Sequence, residues 1–208
     1  AMMVVVSQAH AVVVSWTDWT SSSNQFSASG TLLVDSTRVD VQYSGTGAHR
    51  FVQTGTGRNY WTGPAYTQGA IENPPPASEL VALWRGGRVT ITFSQTVQDP
   101  FIALVSWNGN RAEFGVPIEF DSVGHGYWGS GTPVLNAAGT GFFGRGELHG
   151  VIRLSGTYDS ITFTHTTENW HGFTVGVAGL ANPIPIPAAA WLFGSGVMGL
   201  IGLRKIRK

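Results

Sequence analysis

The sequence predicts an all-β protein: an antiparallel β-sandwich of jelly-roll type, followed by a single C-terminal transmembrane helix. Three observations carry that expectation. Apolar and polar residues alternate through most of the chain, which is the two-residue period of a half-buried strand. Gly-rich turn signals recur between those runs, and no stretch before residue 188 has a convincing helical period. The character of the chain then changes, because residues 188–203 carry no charge and are followed by a basic cluster.

Taken in order, Val39, Val41 and Tyr43 face one way and Arg38, Asp40 and Gln42 the other. Val89, Ile91 and Phe93 alternate likewise with Arg88, Thr90 and Thr92, and a one-residue slip would expose either apolar set, so their registers are fixed. The run FIALVSW from Phe101 is apolar on both faces and reads as a central strand. Ile152 with Leu154, Ile161 with Phe163, and Phe173 with Val175 and Val177 supply three more. Turn signals stand at Ser44-Gly45, Asn108-Gly109-Asn110, Gly124-His125-Gly126, Gly129-Ser130-Gly131 and Tyr158-Asp159-Ser160. Residues 79–85 fit a short helix or a strand equally well. Residues 71–78 contain Pro74, Pro75 and Pro76, which lack backbone donors and make this a crossing loop. Many short strands between such turns fit two packed antiparallel sheets.

At 208 residues the chain has room for one core of its own and little else. Twelve Lys and Arg balance twelve Asp and Glu, so no basic stripe argues for nucleic acid and no acidic block for a disordered tail. There is no cysteine, which excludes disulfides, thiolate metal sites and a Cys nucleophile.

Both ends carry a message of their own. Residues 1–11 are apolar and then small, and Ala9-His10-Ala11 has the small-x-small form that signal peptidase requires. They read as the remnant of a secretory signal, with a first edge strand at residues 3–6 as the alternative. Residues 12–179 form the β-domain and residues 180–187 a Pro-rich linker. A helix over residues 188–203 spans roughly 24 Å, short of a bilayer core of about 30 Å unless neighbouring residues and snorkelling side chains extend it. Ser195, Gly199 and Gly202 leave one face open to close helix contact. Arg204, Lys205, Arg207 and Lys208, within residues 204–208, stay in the cytoplasm and put the β-domain outside. A buried core helix would have no reason to end in such a cluster.

Three elements stand in order: the motif Ile184-Pro185-Ile186-Pro187-Ala188, an apolar segment beginning Trp191-Leu192-Phe193-Gly194-Ser195-Gly196, and the basic end. Together they resemble the sorting tail of PEP-CTERM proteins, in the variant whose motif is Val-Pro-Leu-Pro-Ala. Both prolines and the alanine match, and both apolar positions differ conservatively. The resemblance covers about the last twenty-five residues; GYWGSG at 126–131 and ENWHGFTVGV at 168–177 are similar to segments of β-rich ectodomains that carry such tails. It implies export from a Gram-negative cell and transient anchoring in the inner membrane with the ectodomain in the periplasm. It also implies cleavage by an exosortase, then a place at the cell surface or in an extracellular matrix associated with exopolysaccharide.

The residues that could do chemistry are few. His165, Glu168 and His171 make H-x-x-E-x-x-H, but a zinc-protease helix needs its two His four apart, so a surface or turn role is the expectation. Glu113 and Glu119 could be imagined as a glycosidase pair. Asp99, Asp121 and Asp159 lie near turns and could face a Ca²⁺ ion, though no dense Asp/Asn loop surrounds them. No Gly-x-Ser-x-Gly elbow precedes a helix. No catalytic residue, resident metal or cofactor is assigned.

Trp16, Trp19, Trp61, Trp128 and Trp170 sit beside Gly, Thr, Asn or Asp rather than in apolar runs, which suits stacking on sugars. Trp61, Trp128 and Trp170 are the candidate glycan contacts, on one exposed platform. The expectation is a structural or weakly glycan-binding surface or matrix protein, its partners an exosortase and exopolysaccharide. The alternative is an enzyme acting on extracellular polysaccharide, which would need two carboxylates gathered in one cleft. A zero net charge predicts little effect of salt on glycan contact.

Overall fold

The computed structural model describes residues 12–181. The expected signal remnant, sorting motif, membrane span and basic end lie outside the described residues. Among those described, no helix is long and apolar enough to cross a membrane.

Strands account for nearly all regular structure. In chain order they are β1 (Ser15–Trp16), β2 (Asp18–Asn24), β3 (Ser27–Val34), β4 (Thr37–Gly45), β5 (His49–Gln53), β6 (Leu80–Leu83), β7 (Gly87–Gln98) and β8 (Phe101–Trp107). There follow β9 (Arg111–Glu113), β10 (Glu119–Gly124), β11 (Gly131–Leu135), β12 (Gly141–Gly146), β13 (Leu148–Arg153), β14 (Thr157–His165), β15 (His171–Val177) and β16 (Gly179–Leu180). One sheet runs β10-β13-β8-β15-β6-β5, with β1 beside the far end of β15. The other runs β11-β12-β9-β14-β7-β4-β3-β2, with β16 beside the end of β7. Every pair within the sheets is antiparallel.

The two sheets close on a common core, as their alternation demands. Val39, Val41, Val89, Ile91 and Phe163 point inward from the larger sheet to meet Ile102, Leu104, Phe173 and Val175 of the smaller. Rings bridge the layers edge to face: Tyr43 and Phe173 have centroids 5.9 Å apart, Phe163 and Phe173 5.7 Å. This is the sandwich that the period-two pattern predicts.

The smaller sheet has a second apolar layer on its outer face. Residues 54–79, with the 3-10 turn Pro64–Tyr66 and the Pro-rich crossing, fold over it together with the first strand. Trp61, Tyr66 and Ile71 thereby cover Leu80, Ala82, Phe101, Ala103 and Val105. That explains why β6, β8 and β15 are buried along their whole length. It also resolves residues 79–85: Val81 and Leu83 face the inner core, Leu80 and Ala82 the outer layer, so the segment is a strand. Glu79 fastens the crossing, its carboxylate accepting from Trp19 N at 2.6 Å and Gly55 N at 3.1 Å. Burial is the main cause that raises the pKa of this carboxyl.

Two turn signals are overturned, and the first, Ser44-Gly45, is the end of β4, paired with Thr90 and Val89 of β7. Tyr158-Asp159-Ser160 is no hairpin connection but part of β14, at a shift of register against β7 between Tyr158 and Ser160. The turn from β3 to β4 carries no Gly or Pro, and its Asp35 and Ser36 both have positive φ, 45° and 70°.

Candidate functional site

At the end of the sandwich where β15 begins, five aromatic rings meet. The loop after β10 makes a tight corner in which Gly126 N donates to Gly129 O at 2.8 Å and Gly129 N donates back to Gly126 O at 3.2 Å. Tyr127 and Trp128 occupy the tip. The corner lies this close to β13 because residue 126 is glycine; a Cβ there would stand 2.3 Å from Cγ of His149. Tyr60 comes from the crossing loop and stacks on Trp128, with centroids 5.3 Å apart and planes 23° from parallel. Trp170, one residue before β15, meets Trp128 at 4.8 Å and Tyr60 at 5.1 Å, both edge to face. Phe51 of β5 backs Trp170 at 5.6 Å. Trp128 keeps 43% of its surface exposed, and Tyr60, Tyr127 and Trp170 are half-buried.

The expected platform is therefore corrected in one member. Trp128 and Trp170 come together, but Trp61 is 3% exposed and lies in the outer apolar layer, its Nε1 donating to Glu79 O at 3.2 Å. Asn59 Oδ1 accepts from Trp61 N at 2.9 Å, a local turn that sends Trp61 inward. Its neighbour Tyr60 takes the outward place. Trp16 and Trp19 are buried as well. Tyr60, Tyr127 and Phe51 join the cluster beyond the tryptophans, and the alternation within Asn59-Tyr60-Trp61 is the sequence signal that sends one ring of that pair outward.

The last described residues lie towards the opposite pole. Along β15, six residue steps of about 3.3 Å put Val177 roughly 20 Å from His171. From there β16 pairs Gly179 with Gln98 and Leu180 with Val97, and Ala181 N donates to Thr96 O. Val12 is at this pole too, where it lines a hollow with Ala178 and Gly179.

Beneath the aromatic end, His165, Glu168 and His171 do meet, but in a row. His171 Nε2 is 3.0 Å from His165 Nδ1, and His171 Nδ1 is 3.1 Å from Glu168 Oε2. The second contact has ion-pair distance without hydrogen-bond alignment, and both of its atoms lack another partner. A metal ion needs its ligands aimed at one point, whereas His171 turns its two nitrogens to different neighbours. Among the described residues no three such groups are placed to hold one. Burial pushes His171 down to about 3 and, with the neighbouring imidazole, His165 to about 4; it lifts Glu168 to about 7.

The carboxylates do not assemble as imagined. Glu113 lines a hollow of about 380 Å³ on the larger sheet and holds Asn136 Nδ2 at 2.7 Å. Glu119 belongs to the smaller sheet and lines the hollow beside Val12, about 520 Å³, with Asp99 and Asp121. That hollow gathers three carboxylates, but Arg153 binds both Glu119 and Asp121. Asp99 accepts from Gly156 N at 2.6 Å. Asp159 is elsewhere, accepting from Thr96 Oγ1.

Compared with protein-family models, with curated proteins and with solved structures, the chain finds no match in any of the three.

Proposed function

We propose that this chain is an exported protein of a Gram-negative bacterium, sorted through its C-terminal tail by an exosortase. Its jelly-roll-like sandwich stands outside the inner membrane on a C-terminal helix and serves at the cell surface or in the matrix, structurally or by weak contact with exopolysaccharide. The tail supports the route: a Pro-bearing motif, an apolar run and a basic end in order. The aromatic end supports the role, and it is the observation on which the reading rests. Tyr60, Trp128 and Trp170 give a firm apolar surface at the pole away from the tether, where a sugar ring can lay its C–H face on an indole. Weak contact suffices, since many copies on one long polymer multiply apparent affinity.

No catalysis is part of the proposal. A glycosidase needs one carboxyl free to protonate the leaving oxygen and a second nearby. Glu119 and Asp121 are both committed to Arg153, and Glu113 opens into a different hollow.

The test is electrophoresis of the full chain, in mild detergent, through a native gel containing the polysaccharide of the producing bacterium. Retardation is expected, and Trp128→Ala is expected to abolish it with the circular dichroism spectrum unchanged. A folded protein that runs unretarded would overturn glycan contact and leave a purely structural role.

A further inference from the structure

The aromatic end has a charge of its own that the whole-chain balance conceals. Arg58 donates from Nη1 to Tyr127 Oη at 2.5 Å, with its guanidinium carbon 6.0 Å from the centre of that ring. Next along the same face, Trp84 follows Leu83, which pairs with His171 on one side and His49 on the other. Two guanidiniums stand over Trp84, that of Arg85 at 4.1 Å and that of Arg50 at 5.0 Å. Arg50 directly precedes Phe51, whose ring backs Trp170. All three arginines are exposed, and among the described residues none has a carboxylate within ion-pair distance; Arg38 and Arg153 are the ones so paired. Residues 50–63, 84–88 and 125–132, which build this end, contain no Asp or Glu. Three carboxyls lie close by, and none is exposed: Glu168 and Glu147 are half-buried, Glu147 accepting from Ser106 and Asn108, and Glu79 is buried, accepting from Gly55 N.

Resting on the glycan-contact reading, we infer that the ligand is an acidic polysaccharide, one whose sugar rings carry carboxylates, as uronic acids do. A neutral glycan asks only for a stacking ring and a few hydrogen bonds. Here a stacking surface is flanked by planar cations held against aromatic rings, and each guanidinium offers the paired N–H edge that matches a carboxylate. Ring against ring and guanidinium against carboxylate together recognise a charged sugar. Single-stranded nucleic acid also stacks on aromatics, but its binding draws on neutralising many phosphates along a basic groove, typically 6–10 contacts. Three arginines on a chain of zero net charge do not form such a groove. Contact with an acidic polymer is salt-sensitive, contrary to what the net charge alone predicts, because screening acts on the local charge.

The experiment uses the full chain in mild detergent in gels holding polygalacturonate, the same polymer after reduction of its carboxyls, or no polymer, with labelled oligothymidylate as a separate arm. Polygalacturonate is expected to retard the protein, its reduced form much less, and retardation is expected to fade between about 0.05 and 0.5 M salt. The triple variant Arg50→Gln, Arg58→Gln, Arg85→Gln is expected to weaken binding about tenfold. Arg58→Gln alone is expected to weaken it less. Arg111→Gln, which alters a guanidinium over Phe143 in another part of the molecule, is expected to leave it unchanged. Equal retardation by both polymers, or indifference to salt, would overturn the acidic ligand and leave glycan contact standing. Retardation by neither polymer would bring down glycan contact as well. Loss in Arg111→Gln equal to that in the triple variant would mean diffuse charge attraction and overturn the site. Stronger binding of oligothymidylate than of polygalacturonate would assign the surface to nucleic acid instead.

Discussion

Tyr60 and Trp61 show how finely the site divides at the level of single residues. In extended chain, neighbours point to opposite sides, so one ring of the pair reaches the exposed cluster and the other fills the outer layer. Which one goes out is decided by a lid over a second apolar layer, and a single strand pattern carries no information about a lid. Trp128 was legible because glycines hold it on both sides at the tip of a corner.

The same burial gives the histidines a measurable consequence. His149, His165 and His171 have folded pKa values near 4, 4 and 3, mainly because burial penalises the charged ring, against 6.5 for a free imidazole. Unfolding therefore takes up protons as the pH falls below about 6.5, and stability is lost from there towards pH 4. Glu168 has the opposite sign: its folded value is near 7 against 4.5 when free, so unfolding releases its proton and stability falls as pH rises across that window. Three imidazoles outweigh Glu168, while His49, lowered by burial, and Glu79, raised by it, act in opposite senses. Urea unfolding between pH 4.5 and 6 is expected to show a net uptake of about two protons, a slope of roughly 2–3 kcal/mol per pH unit. His165→Gln should reduce the uptake by about one. A flat stability curve across this range would show that these rings are not held neutral.

At the scale of elements, β8 was legible because a strand packed on both faces needs an unbroken apolar run, and Phe101–Trp107 is one. β4 and β7 were legible through their alternation. β2, with Thr20, Ser21, Ser22 and Ser23, and β11, with Gly131 and Pro133, were not; they are exposed outer strands, where nearly every side chain faces water and the apolar period disappears. The proposed sorting motif is of the opposite kind, defined by what it cannot form. Pro185 and Pro187 lack the N–H that a strand or helix would use, so on the proposed role an extended backbone is expected there. Replacing both with Ala is expected to let helix run back through the motif. Processing in a host with the matching exosortase, followed by mass shift on a gel, should then stop. Trimming of the double variant at the rate of the parent would remove the motif assignment.

For the whole molecule, the arrangement that matters is polar. Val12 and Ala181 lie at one end of the sandwich, and the aromatic cluster with its arginines lies at the other. On the proposed tether through the C-terminus, the ring surface would face away from the membrane, towards polymer. The whole sequence contains no cysteine, so one introduced thiol is unique. The most direct measurement places an environment-sensitive dye on Ser130→Cys, two residues from Trp128, and separately on Gln95→Cys, next to Thr96, which accepts from Ala181 N, and titrates each full-length protein with acidic polysaccharide. A saturable change in emission is expected from the dye at position 130 and none from that at position 95. A response at position 95 with silence at 130 would contradict that expectation.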